Sequence, residues 1–495
     1  MKKHNLVWMP ALIVIVVLAF CLGMQVQKQR AGRMETERAR ALLAEKEKEA
    51  AMQGISTVPG TTAEMLKAGF WQERSGEVLL FSAEEVEEFG RNNPISVLYY
   101  DEVEGRNLKL FTNNLPESIP RKTVETLIGS MGMEEWINGT KKAFVNGKTV
   151  GESYWTALLE LCAEDKIKER VEPEYAICIK RDVVMVLPTD DFLAESEDEI
   201  FCNQMVVAEA MPFTGVAVIH ESRDGKWCFV LDGSYCGWVR KESLAFCKDK
   251  EEWFSVYQPE RFLVVTGCEI VLDETALDTH TAGLMLPMGT KIKLAEPANE
   301  SVDGREGFGC YLAELPFRRE DGSLGTEKAW IPVSKAVHEG YLTMTSSAVI
   351  GQAFLFQGKI YGWGGSFSSN DCSGFVRQVY SCFGLELPRN SAAIAEIYDL
   401  GGRECNCMTA GKKKEILRDM PAGSLLYMDG HLMIYLGTEG EEPYVISSCA
   451  TFIEPGDQTG TAQEAYGVFV SSLELLRKNG DTWLESLKYF QWREY

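Results

Sequence analysis

Two residues in the C-terminal third have the type and the setting for covalent chemistry: Cys372 and His431. Cys372 sits in Asn370-Asp371-Cys372-Ser373-Gly374, after a Gly-rich turn at Gly362, Gly364 and Gly365. From there Phe375, Val376, Val379, Tyr380 and Phe383 recur at helical spacing, and Gly384 stands where a helix would stop. Asp371 or Asn370 is placed as N-cap, so Cys372 falls in the first helical turn. Unpaired N–H groups and the helix dipole favour an anion there, which predicts a lowered thiol pKa and more of the reactive thiolate. An isolated cysteine is more often a buried structural residue. The cap, the helix start and the Gly-rich approach point instead to a nucleophile.

A thiol nucleophile needs a base, and of the five histidines only His431 lies downstream of Cys372. Residues 431–437 are mostly apolar and read as a buried strand, with His431 first after an Asp429-Gly430 turn. A helix-borne Cys facing a strand-borne His is the papain-like arrangement, defined by roles and geometry rather than by order in the chain. A core His that merely satisfies a hydrogen bond is the alternative.

The matching residues go further than this pair. Tyr361-Gly362-Trp363-Gly364-Gly365, Asp371-Cys372-Ser373-Gly374-Phe375, Leu387-Pro388-Arg389, Pro421-Ala422-Gly423-Ser424 and Gly430-His431 through Gly437 together resemble the NlpC family of bacterial cell-wall cysteine endopeptidases. Members cleave peptidoglycan stem peptides, commonly between D-glutamate and the following diamino acid. The resemblance implies Cys372 as nucleophile, His431 as base, Tyr361 lining the active site, and Asp371 and Ser373 bordering the substrate cleft. The family's orienting residue, a His, Asn or Gln on the next strand, falls here on Ser447. A serine hydroxyl accepts from a ring N–H more weakly than an amide or carboxylate. A one-residue register shift would put Ser448 there instead.

The elements that position these residues can be read along the rest of the chain. Lys2 and Lys3 precede an apolar run from Leu6 to Met24, long enough to span a bilayer, and residues 1–27 read as a signal anchor. A cleaved signal peptide is an alternative, and a lipoprotein signal at Cys21 a remote one. The anchored form would sit in the cell membrane with the bulk of the chain outside, and the cleaved form would be secreted. Residues 28–60 read as a charged helix and linker. Residues 61–172 show helical pieces at 82–91, 121–132 and 153–170 and resemble the helical stabilising segment of multi-domain family members.

Between 173 and 250, short alternating runs with Gly and Asp turns predict an antiparallel barrel. Asp224-Gly225-Lys226-Trp227 and Tyr235-Cys236-Gly237-Trp238-Val239 are similar to a bacterial SH3 domain. A second such barrel is expected over 255–345, on Phe262 to Thr266, Met288-Gly289-Thr290 and Gly340 to Thr345. By that resemblance Tyr235 is a candidate cleft residue, since family first barrels help to hold the substrate's free amine. The expected fold is α+β and multi-domain: anchor, helical segment, two SH3-like barrels and a papain-like catalytic domain over 346–495.

The net charge of −23 speaks against nucleic acid, which wants basic faces, and against purely electrostatic attachment to anionic lipids or wall polymers. Fourteen cysteines, less Cys21 and Cys372, leave twelve that would pair in an oxidising compartment or stay free in an anaerobic cell. Cys405 and Cys407 lack the further ligands of a zinc site, and no cofactor is implied. The expected function is hydrolysis of peptidoglycan stem peptides. An inactive wall-binding scaffold, and acyl transfer to an amine, are the alternatives. Oligomeric state is open.

Overall fold

The computed structural model describes residues 45–46, 48, 54–101, 105–275, 277, 279–296 and 301–492. The expected anchor and most of the charged helix lie outside the described residues. Among these no helix is long and apolar enough to cross a membrane. The chain divides into two compact units, Met1–Leu66 and Lys67–Tyr495. In the first, a turn is closed by the Thr61 N–H and hydroxyl, which donate to Val58 O at 3.0 and 2.6 Å.

The second unit holds the sheets and the site. Residues 67–172 are less helical than expected. Helices Ala83–Asn92, Arg121–Gly129 and Glu152–Leu161 are present, the last two shorter than their sequence patterns. Between them stands a hairpin, Ser96–Asp101 against Arg106–Phe111. Its alternating β-branched, aromatic and leucine positions suit a pleated half-buried surface. The segment's first helix, Ala68–Ser75, belongs physically with the C-terminal domain. Its Trp71 is fully buried 5.3 Å from the Tyr444 ring, and Gln72 donates to Ser347 O at 2.9 Å.

Residues 174–246 form a seven-stranded antiparallel sheet in the order Val206–Ala210, Asp182–Met185, Tyr235–Arg240, Trp227–Asp232, Gly215–Glu221, Glu174–Cys178, Leu244–Phe246. Trp238, Phe229 and Val230 are fully buried in it. Helix Lys250–Tyr257, capped by Asp249, drops Trp253 onto this sheet, where its indole N–H donates to Ala176 O at 3.1 Å. A five-stranded sheet follows, ordered Leu324–Pro332, Cys310–Arg318, Lys291–Leu294, Phe262–Val265, Val337–Glu339.

The C-terminal domain packs α1 (Ser346–Phe354) against α2 (Cys372–Ser381), and α2 against a six-stranded sheet. Its strands are β1 (Gly402–Glu404), β2 (Leu425–Met428), β3 (His431–Glu439), β4 (Glu442–Ile453), β5 (Ala462–Ser472) and β6 (Leu487–Gln491), in the order β1-β6-β2-β3-β4-β5. The apolar face of α2, with Phe375, Val376 and Val379 fully buried, is what holds Cys372 over β3 and β4. The thirteen described cysteines are all free thiols.

Candidate active site

Cys372 is the first residue of α2, and Asp371 is its N-cap, accepting from the Gly374 N–H at 2.9 Å. The other Asp371 oxygen accepts from the Gly364 N–H at 3.0 Å and pairs with Arg389. Arg389 also donates to the Ser373 hydroxyl at 2.7 Å. Asp371, Ser373 and Arg389 are all buried. Burial pushes the Asp371 carboxyl up, but the Arg389 charge and these donors outweigh it and hold the carboxyl below its usual range.

The Gly-rich loop before Cys372 lies against strand Val206–Ala210 of the seven-stranded sheet. Gly364 and Gly365 take left-handed backbone at φ 63° and 100°, and a Cβ on either would sit 2.6 Å from Val206 Cγ1 or Glu209 Cβ. Glycine is therefore required twice over, by conformation and by contact. The Trp363 indole donates to Val206 O at 3.1 Å. Arg181 Nε donates to Glu209 at 2.9 Å, and the same guanidinium reaches Ser368 O at 2.6 Å and Ser369 O at 2.7 Å. The sheet thus fixes the backbone that delivers the thiol.

His431 opens β3, with its ring Nε2 3.0 Å from Ser447 Oγ on β4. When Nε2–H donates to that hydroxyl, Nδ1 keeps the lone pair and is the nitrogen left to take a proton. The ring also meets Trp483 edge to face, centroids 5.1 Å apart. Ser448 points elsewhere: its hydroxyl donates to Asn370 O at 2.7 Å, two residues before Cys372. Each of the paired serines therefore has its own partner.

Cys372, His431 and Tyr361 line one cavity of about 670 Å³, whose walls come from β4 and the 476–488 stretch. Asp371, Ser373 and Tyr235 do not line it. The first two lie beneath it around Arg389, and Tyr235 lies near Arg389 from the seven-stranded sheet. The thiolate expected from the helix start is not favoured here. Burial, then the Asp371 charge, push the Cys372 thiol up to about 11, against the pull of the Leu432 and Ser373 N–H groups. Burial, then the Arg477 charge, push the imidazole down to about 4. The resting pair is neutral thiol and neutral imidazole.

Residues 358–447 match the model of the NlpC/P60 family. This stretch is an NlpC/P60 domain. NlpC/P60 proteins are cysteine peptidases acting on peptidoglycan peptides. The fold around the domain is similar to that of an NlpC/P60 endopeptidase from Photobacterium damselae subsp. piscicida, with a TM-score of 0.65 at 14% identity over 86% of this chain and 96% of that one. An NlpC/P60 family protein from Bacillus cereus matches at 18% identity and a TM-score of 0.40, over 58% of this chain and 81% of the other. No curated protein matches the sequence.

Sequence reasoning missed Arg477 and Trp483, which flank His431 from the 476–488 stretch, more than forty residues downstream of it. No local spacing marks them. The one signal was a Lys/Arg pair and a Trp around an Asn479-Gly480 turn, in a domain already holding a Cys and a His.

Proposed function

We propose that this chain hydrolyses peptidoglycan stem peptides through Cys372 and His431, at the bond between the D-glutamate γ-carbonyl and the diamino acid. The observation that carries this reading is the His431–Ser447 hydrogen bond at 3.0 Å, on a histidine that shares its cavity with a thiol at a helix N-terminus. In the first half-reaction the sulfur attacks the carbonyl carbon as the thiol proton passes to His431. Because thiol and imidazole rest neutral, that transfer accompanies attack rather than preceding it. The Cys372 N–H and the helix N-terminus stabilise the oxyanion. Protonated His431, steadied by Ser447, then gives its proton to the leaving nitrogen. Water, deprotonated by His431, splits the thioester and restores the thiol.

Tyr361 on the cavity wall positions the substrate. Asp371 and Ser373 act from below it, fixing the helix start, and Tyr235 stands towards the substrate's amino end. In this proposal the two antiparallel sheets are SH3-like domains, and residues 1–27 tether the enzyme outside the membrane. An alternative is a wall-binding scaffold with weak catalysis, favoured by the neutral resting pair and by a serine in the orienting place. Mass spectrometry of purified stem peptides incubated with the full chain decides between them. Cleavage at the glutamyl bond, absent in Cys372→Ala, is the expected result, whereas binding without cleavage by the folded wild type selects the scaffold.

A further inference from the structure

We infer that Arg477 is the specificity residue for the leaving side of the bond, recognising the α-carboxylate of the released amino acid. This deepens the proposed peptidase reading and rests on it, because that chemistry places the leaving nitrogen beside His431. The group that protonates a leaving amine must touch its nitrogen. The α-carbon of the leaving residue is bonded to that nitrogen and carries the α-carboxyl group, so this group also lies within a few ångströms of His431.

Arg477 is the half-buried cation on that side, its neighbour Lys478 on the same wall being exposed. It lines the cavity with Cys372 and His431, and its Nη2 donates to the backbone carbonyl of Asp429, two residues before His431, at 3.0 Å. Its charge is felt at the imidazole. The backbone is pinned, with Arg477 N–H donating to Asp481 O and Gly480 N–H to Arg477 O, both at 2.9 Å. Among the described residues no carboxylate lies within ion-pair distance of this guanidinium. Other charges on the wall are differently placed. Lys488 is paired with Asp429 at 2.5 Å, and Glu485 accepts from the Thr482 N–H at 2.9 Å in a helix cap. Asp481 accepts from the Asn479 side chain at 2.6 Å.

A chain of net charge −23 repels an anionic peptide. A fixed guanidinium without a carboxylate, held at the leaving position, supplies the local attraction and a planar fork that suits a carboxylate. The expected selectivity is for stems cut where the diamino residue is terminal with a free carboxylate, over those where that group is an amide.

The test uses the full chain and two tripeptides of L-alanine, γ-linked D-glutamate and L-lysine, one ending in a carboxylate and one in a carboxamide. Wild type should prefer the carboxylate by about 10- to 100-fold in kcat/KM, as expected for a charge-assisted bidentate contact. In R477Q the ratio should fall to within about 3-fold, and R477K should lie between. A wild-type ratio near one, or an R477Q enzyme that slows on both substrates with the ratio intact, overturns the inference. Calorimetric binding of free L-lysine and L-lysinamide separates its failure from that of the peptidase reading. If wild type cleaves neither tripeptide, the hydrolase reading falls. An Arg477-dependent preference for the acid over the amide still upholds the recognition site, and equal binding of the two overturns it.

Discussion

The two flanks of the cleft differ in how firmly they are held. On the Cys372 side, Asp371 accepts from Gly364, Gly374 and Ser373 and pairs with buried Arg389, while Arg181 and Glu209 clamp the preceding loop. On the other, the imidazole of His431 has a single hydrogen bond among the described residues, to the Ser447 hydroxyl. The rest of its setting is the Trp483 edge and the Arg477 charge. The thiol's position is therefore over-determined, and the imidazole's orientation hangs on one modest bond. Mutations of the residues that support the thiol should weaken the fold, and those of the residues around the imidazole should tune the rate.

The largest effect tests the proposed nucleophile. Cys372→Ala should lower kcat/KM on stem peptides by at least about 1,000-fold, since nothing replaces the covalent route. Its unfolding free energy should stay within about 1 kcal/mol of wild type, because the sulfur lines the cavity rather than filling the core. Cleavage near the wild-type rate would refute the cysteine mechanism.

Next comes the support beneath it. Arg389→Met leaves the Asp371 carboxylate buried without its cation, which should cost about 3–5 kcal/mol in denaturant unfolding. The double variant Arg389→Met with Asp371→Asn should recover part of that loss, because the uncompensated charge is gone. By contrast, removing the exposed Lys180–Glu242 pair should cost under about 1 kcal/mol. Equal costs for the buried and the exposed pair would erase the contrast between scaffold and surface.

A third prediction separates the flanks by pH. His431 titrates near 4 when folded and near its ordinary 6.5 when unfolded, so the unfolded chain binds the extra proton between those values. Stability from this group is complete above 6.5 and is lost as pH falls towards 4, by about 1.4 kcal/mol per unit. Asp232 acts oppositely across part of the same window. Burial raises its carboxyl to about 6, so the folded state takes up its proton first and stability rises as pH falls through 6. The observable is therefore the difference between wild type and His431→Ala in urea titrations at pH 7 and pH 5. Wild type should lose about 2 kcal/mol more than the variant, and parallel pH dependence would show that His431 is not buried as neutral imidazole. The acid limb of kcat/KM should likewise lie near 4, well below that of an ordinary histidine.

The better-held flank was also the more legible one in the sequence. An N-cap, a helical apolar period and three glycines within a dozen residues mark the Cys372 loop, because capping and close approach are local demands. That the loop would be clamped by Arg181 and Glu209 was not readable, since 187 residues separate Arg181 from Ser368. The position of His431 followed from a turn and an apolar strand. Its ionisation did not, because burial and the Arg477 charge come from tertiary packing. The thiol shows the same limit: helix-start chemistry lowers its pKa, but desolvation, invisible in sequence, wins. The hairpin within residues 67–172 is hidden among helix-forming sequence for a related reason. Short strand pairs carry only a few residues of alternation.

The smallest effects test the paired serines, whose side chains diverge. Ser447 meets His431 and Ser448 meets the Asn370 carbonyl. Ser447→Ala should slow turnover by about ten-fold or less, the size of one modest hydrogen bond to a group that becomes charged in the reaction. KM should change little, because the hydroxyl acts through the imidazole rather than on the substrate. Ser447→Asn should preserve or raise the rate if the amide oxygen reaches Nε2, since an amide fixes the same tautomer more firmly. Ser448→Ala should instead cost about 1 kcal/mol of stability, with a smaller effect on rate, because Asn370 O still accepts from the Gly362 N–H at 3.0 Å. A rate loss confined to Ser448→Ala would mean that the backbone before Cys372, not the tautomer of His431, limits catalysis. Indifference of the rate at both positions would show that the imidazole is steered by Trp483 packing alone, and Trp483→Leu would then be the variant that slows the enzyme.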